Sequence, residues 1–124
     1  MAKVVFSGLE PRIADQLAQL LAVDGHEIQR QKNTAPIKHV LGADVVFASG
    51  EPVQYLSLLR RVRAINGSLC FVVIARFPVL TGWLEAIEAG ATDYWSTPFV
   101  LLQVRSLVAS ATSRRIAAAA TAGR

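Results

Sequence analysis

Two stretches, Asp44-Val45-Val46-Phe47-Ala48 and Leu69 to Ala75, are apolar runs without alternation. A strand with one wet face alternates, because successive side chains point to opposite sides of the sheet, whereas a strand buried on both faces does not. Such strands belong to parallel sheets that helices cover on each side. The rest of the chain therefore has to supply that cover.

Around these runs, strand and helix patterns take turns. Lys3-Val4-Val5-Phe6 is rich in β-formers and stops at Ser7-Gly8. Pro11 suits a first helical turn, and Ile13, Leu17, Leu20 and Leu21 recur at helical spacing before Gly25, which predicts a helix of about 14 residues. His26 to Gln31 alternates weakly around Ile28 and is the poorest strand, an edge with one polar face. Pro36 to Leu41 holds only a short helix. Pro52 opens a helix with Val53, Leu56, Leu59, Val62 and Ile65 on one face, Arg60, Arg61 and Arg63 on the solvent side, and Asn66-Gly67 at its end. Thr81 is the expected N-cap of a short helix that Gly90 stops. Asp93-Tyr94-Trp95-Ser96 is a last strand. Thr97-Pro98 supplies a cap and a first-turn proline for a long final helix with Leu101, Val104, Leu107, Val108 and Ala111 on its apolar face. Five strands alternating with five helices predict an α/β fold, a doubly wound parallel sheet with helices on both faces. Ligands of such sheets bind beyond the strand C-termini. That places Ser7, Gly8, Leu9, Ser49, Gly50, Ala75, Arg76, Ser96 and Thr97 around the crevice.

With 124 residues, 52% of them apolar and 18% charged, the chain fits one domain with a sizeable core. No run reaches the roughly 18 uncharged residues of a membrane span, so a soluble, cytoplasmic protein is expected. The lone Cys70 sits in an apolar run and is expected to be a buried thiol; His26 and His39 have no metal-ligand or catalytic companions at motif spacing. No cofactor or metal is expected. Thirteen Lys and Arg against nine Asp and Glu give a net charge of +4. Arg105, Arg114 and Arg115 on the last helix lack the interleaved aromatics or groove-reading helix of a nucleic-acid module, so a solvated basic surface is expected.

Several segments together resemble the receiver domain of two-component response regulators. Lys3-Val4-Val5-Phe6 with Glu10-Pro11 is similar to that family's opening strand, and Leu58-Leu59-Arg60-Arg61-Val62-Arg63-Ala64 to its third helix. The most specific segment is Ala86-Ile87-Glu88-Ala89-Gly90-Ala91-Thr92-Asp93-Tyr94-Trp95-Ser96-Thr97-Pro98-Phe99, which resembles the stretch from helix four through the family's Lys-Pro-Phe turn. The resemblance implies a flavodoxin-like strand order 2-1-3-4-5, a receiver-like domain over 1–113, and a 114–124 extension or tail that leads to an output domain, forms a dimerisation stub, or frays.

At each position where the family carries its chemistry, this chain differs. The acidic pair that holds Mg²⁺ is replaced by Gly8 and Leu9; the phosphoacceptor Asp falls on Ser49, or on Ala48 one residue earlier; the strand-four hydroxyl is Ala75 and the strand-five lysine is Thr97. Part of the positive balance records those missing acids, partly offset by the missing lysine. The resemblance further implies a cis Thr97–Pro98 bond and gives Tyr94 the place of the family's switch aromatic, without its partner hydroxyl.

The function expected is that of a degenerate receiver, a pseudoreceiver that is not an enzyme and binds no metal. It would act by contacting a signalling protein, a fused output domain or a second copy through helix four, strand five and helix five, with Tyr94, Trp95 and Arg105 as contact residues. Two rivals remain: an active receiver with an unconventional acceptor, for which Glu51 is the candidate, and a sensor of a small ligand or anion through Ser7, Ser49, Arg76 and Thr97.

Overall fold

Burial on both faces places the two apolar runs at the centre of the sheet. In the computed structural model, which describes the backbone of residues 2–122 and the side chains of residues 2–113, they become β3 (Val45–Ala48) and β4 (Cys70–Ala75). The other elements are β1 (Lys3–Ser7), α1 (Pro11–Ala22), β2 (Glu27–Gln31), α2 (Ile37–Leu41), α3 (Pro52–Ile65), α4 (Leu80–Glu88), β5 (Asp93–Ser96) and α5 (Leu101–Ala122). The five strands are parallel in the order β2-β1-β3-β4-β5. This is the doubly wound fold that the strand and helix alternation predicts. Each crossover returns the chain to the same end of the sheet, so the strand C-termini share one rim.

Alternation along the strands divides the core in two. Val4, Phe6, Val45, Phe47, Val72, Ile74 and Trp95 pack with Ile13, Leu17 and Leu21 of α1 and Val104, Val108 and Ala111 of α5. Val5, Val46, Ala48, Phe71 and Val73 pack on the other side with Val40 of α2, Leu56, Leu58, Leu59 and Val62 of α3, and Ala86 of α4. Phe47 joins its layer together, with its ring edge-on to Phe6 at 6.0 Å and tilted on Trp95 at 5.7 Å. Cys70 is buried in the same layer. Among the described residues, no helix is long and apolar enough to cross a membrane.

Local features depart from the sequence expectations. On α3 the buried face is Tyr55, Leu56, Leu58, Leu59 and Val62, while Val53 and Ile65 are 81% and 65% exposed. The expected stripe was too long: its end residues project beyond the sheet. Arg63 is only partly solvated. Its Nε donates to the Gly90 carbonyl at 2.8 Å and its Nη1 to the Asn66 carbonyl at 3.1 Å, tying the end of α3 to the turn before β5. Desolvation lowers its pKa below the ordinary arginine value. Thr81 does not cap α4, which begins one residue earlier; extended Val79 precedes it and accepts from Trp83 N–H. Thr97 and Pro98 likewise stand before α5, joined by a cis peptide, and Val104 N–H reaches the Val100 carbonyl as α5 starts. The backbone of α5 runs to Ala122, but the side chains of Arg114, Arg115 and the tail lie outside the described residues.

Removing Phe47 empties the centre of one layer. Phe47→Ala should lower the unfolding free energy by about 3–5 kcal/mol in urea titrations, whereas Val53→Ser should change it by less than about 0.5 kcal/mol. A large effect at Val53 would restore the longer stripe.

Candidate functional site: the strand C-terminal rim and helix four

At the tips of β1, β3 and β4 the polar groups satisfy one another, whereas the Gln31 carboxamide at the end of β2 is buried with no hydrogen-bond partner among the described residues. Ser7 ends β1 fully buried, and its Oγ donates to Asn33 Oδ1 at 2.7 Å. Asn33, in the loop after β2, donates through Nδ2 to the Ser49 carbonyl at 2.7 Å. Ser49 Oγ in turn donates to the Ile74 carbonyl of β4 at 2.7 Å, and Ser49 N–H to the Ser7 carbonyl at 3.0 Å. One carboxamide thus links the ends of β1 and β3 with the loop after β2, while the Ser49 hydroxyl extends the link to β4. Gly8 is required by space, and Gly50 by its backbone conformation. At Gly8, with φ of 71°, a Cβ would lie 2.5 Å from Asn33 Nδ2 and 2.7 Å from the Ser49 carbonyl oxygen. At Gly50, with φ of 105°, it would lie 3.3 Å from the same nitrogen. A side chain at position 8 would need the volume that Asn33 occupies.

The other expected site residues do not join this circuit. Leu9 packs on the α1 side and lines, with Gln31, a pocket of about 100 Å³. Ala75 is half-buried. Arg76 and Thr97 are exposed and line a separate open depression of about 510 Å³ with Glu10, Arg12 and Gln16; there Arg76 Nη1 lies 3.2 Å from Glu10 Oε1. The hydroxyl-lined crevice expected from Ser7, Ser49, Arg76 and Thr97 is therefore not one site: the serines are turned inward and the other two stand outside. Glu51 is exposed at the start of α3. Among the described residues, no group of three His, Cys, Asp or Glu side chains could hold a metal ion.

The side formed by α4 and β5 also differs from expectation. Trp95 is buried, tilted on Phe47, with Nε1 donating to Asp93 Oδ2 at 2.7 Å. It faces the α1 and α5 layer because it alternates with Tyr94 along β5, so it is core and not a contact residue. Arg105 forms a two-pronged pair with Asp24 at 2.9 and 3.0 Å. That places it on the side of α5 facing α1, away from α4. Tyr94 alone is near the expected face. Half-buried against the α3 and α4 layer, it has its hydroxyl 2.8 Å from where a Cβ of Gly82 would stand.

What the sequence reading did not single out is the exposed apolar side of α4. Only Ala86 of this helix is buried, while Leu80, Trp83, Leu84 and Ile87 are exposed by 71%, 42%, 42% and 37%. Those positions are spaced i, i+3, i+4 and i+7 and span about 100° of the helix circumference. The spacing was readable in the sequence. Asn33 gave no signal at all, because an isolated loop asparagine reads as a turn residue.

No protein-family profile matches the sequence, and no curated protein matches it. Solved structures do match in fold. The ATP complex of NtrX from Brucella abortus superposes with a TM-score of 0.76 at 20% identity, over 94% of this chain and 29% of that one. A response regulator receiver domain from Clostridium thermocellum gives 0.72 at 20% identity, over 93% and 97%. A CheY-like receiver domain protein from Methanospirillum hungatei gives 0.70 at 13% identity, over 92% and 98%. The chain spans less than a third of the NtrX chain and nearly all of the other two. Its fold is that of these receiver domains.

Two outcomes test the rim. Asn33→Ala leaves the buried Ser7 hydroxyl and the Ser49 carbonyl without their partner and should destabilise the protein by about 1–3 kcal/mol. Combined with Gly8→Ala, the loss should be smaller than the sum of the two, since Asn33 is one of the groups a residue 8 side chain strikes; simple additivity would separate them. A third outcome concerns Tyr55 under α4, whose phenol is pushed above its ordinary 10.0 first by burial, then by Tyr94 and Glu85. The folded state holds that proton longer, so its contribution is complete below the unfolded pKa and lost as pH rises through the raised folded value. Tyr55→Phe should therefore lose less stability than wild type between about pH 9 and about pH 11; parallel losses would mean that this phenol does not titrate with folding.

Proposed function

We propose that the chain is a degenerate receiver domain of two-component signalling, a regulatory protein-interaction module that works without phosphorylation. The observation that carries this reading is the Asn33 carboxamide, bonded to both Ser7 and Ser49 at the strand tips. Phosphoryl transfer to a receiver needs a carboxylate nucleophile and a hard dication to hold charged oxygens in line. Here the candidate nucleophile is a hydroxyl that spends its proton on the Ile74 carbonyl, and a backbone carbonyl is no general base. A carboxylate at position 8 would collide with Asn33. The site is exchanged for an internal polar plug, with neither cofactor nor enzymatic step.

What remains for signalling is surface. The apolar flank of α4, beside Tyr94, supports contact with a signalling protein or an output domain better than the expected set did, since Trp95 and Arg105 are occupied elsewhere.

Incubation with acetyl phosphate and millimolar Mg²⁺, followed by intact mass measurement, checks the reading. The expected result is an unmodified chain with an unchanged unfolding midpoint. Stoichiometric phosphorylation at Ser49 or Glu51 would replace the proposal with that of an active receiver.

A further inference from the structure

We infer that the cleft between β2 and α2 binds a small amino dicarboxylic acid, a ligand with two carboxylates and one ammonium group. This goes beyond the interaction-module reading and does not rest on it. On β1, β3 and β4 the face turned to α2, α3 and α4 is apolar, with Val5, Val46, Ala48, Phe71 and Val73 in the core. The register pairs Val5 with Gln29 and Lys3 with Glu27, so β2 puts polar side chains on that same face. α2 does not hide them. It has five residues, buries only Val40, and leaves beside β2 a cleft of about 210 Å³.

Val5 and Ala43, both buried, form the apolar floor of the cleft. Lys3, Glu27 and Gln29 line it from the strands, and Lys38 and His39 from α2; all five are exposed. Elsewhere Arg30, Arg76 and Arg105 are matched with Asp15, Glu10 and Asp24. Among the described residues no ion pair engages Lys3, Glu27 or Lys38, although Lys3 and Glu27 are register partners. A polar edge strand alone would account for Glu27 and Gln29. It does not account for Gly42. This residue ends α2 with φ of −84°, in the right-handed region, so the turn does not demand glycine. Nor does packing, since a Cβ there would meet only the Lys38 carbonyl oxygen, at 3.8 Å. What the glycine preserves is the open space of the cleft, which it also lines. Gln31, which its pairing with Ser7 puts on the same face of β2, has a buried carboxamide with no partner among the described residues, so the polarity of this face is not satisfied inside the protein.

The side chains select the ligand. With His39 neutral, two ammonium groups against one carboxylate leave the cleft a single positive charge, which a ligand of net charge −1 balances. Lys3 and Lys38 suit two carboxylates, Glu27 suits an ammonium, Gln29 can serve either, and His39 adds a further donor. The methylenes between those groups would lie on Val5 and Ala43. The volume is below the ~300 Å³ at which sites for drug-sized molecules begin, which limits the ligand to about the size of glutamate or aspartate.

Titration of the isotope-labelled chain with sodium glutamate at constant ionic strength, followed by amide NMR shifts, tests this. Glutarate, which lacks the ammonium, and γ-aminobutyrate, which lacks one carboxylate, are the comparisons. Glutamate should shift the amides of Gln29, Lys38, Gly42 and Ala43 with a Kd of about 1 mM, and both comparisons should bind about tenfold more weakly. Glu27→Gln should bring glutarate level with glutamate. A Gly42→Leu chain that circular dichroism shows to be folded should give no shifts, because the new side chain fills the cleft. Lys38→Gln, at an exposed position, should weaken binding about tenfold with an unchanged melting temperature. No saturable shifts at about tenfold the expected Kd, shifts centred elsewhere on the surface, or equal binding of glutarate by the unsubstituted chain would each overturn the inference. So would binding that survives Gly42→Leu or is untouched by Lys38→Gln.

Discussion

The Asn33 carboxamide holds together a place where a parallel sheet is weakest. At the C-terminal ends of parallel strands, backbone carbonyls and loop amides lose their ladder partners, and each buried one left unpaired costs about 1–3 kcal/mol. Many α/β folds satisfy these groups with a ligand or metal in the crevice. Here a single side chain accepts from Ser7 and donates to the Ser49 carbonyl, and the Ser49 hydroxyl closes on Ile74. Acceptor and donor at opposite ends of one planar group fit this task in a way that a carboxylate, an acceptor only, does not. The glycine at 8 follows from the same group, since it fills the space that a side chain there would take.

That arrangement ties the rim to the rest of the molecule. Ser7 is the last residue of β1 and Ser49 directly follows β3, so the circuit fixes the tips of two adjacent buried strands. Below it, the layers are packed by Phe47 on one side and by Phe71 with α3 on the other. α4 is held differently. Its buried contribution is Ala86, and Gly82 lets the Tyr94 hydroxyl lie close to its backbone. A helix seated by small residues sits low on the sheet and turns its large side chains outward.

Much of the fold was legible because burial on both faces leaves an unmistakable mark: Val45 to Ala48 and Leu69 to Ala75 had no other arrangement open to them. The weak strand at Glu27–Gln31 is an edge, as its polar alternation implied. The site was less legible. The sequence could say which charges were missing at positions 8, 9, 49 and 97, but not what had taken their place, because Asn33 reaches the rim from another loop and no local pattern encodes that approach. The apolar side of α4 was not legible for another reason. Periodicity reports that a helix has an apolar side without reporting which way it faces, and only the small residues Gly82 and Ala86 hinted that the buried side was the other one. Trp95 and Arg105 were placed by resemblance to a surface from which strand alternation and the Asp24 pair remove them.

These two features bear on how such a module can be controlled. A ligand shifts a conformational equilibrium only by the difference in its affinity for the two states. The Ser7–Asn33–Ser49 circuit, whose donors and acceptors are already paired inside the protein, gives an incoming phosphate or metal little to gain there, since each new contact would first break one of about equal strength. Control then passes from the crevice to the surface, where the occupancy of the α4 flank depends on the concentration and affinity of whatever binds it. Binding there needs no preceding chemical step. On the reading proposed here, the loss of the acids at the strand tips and the exposure of apolar side chains on α4 are parts of one change of role.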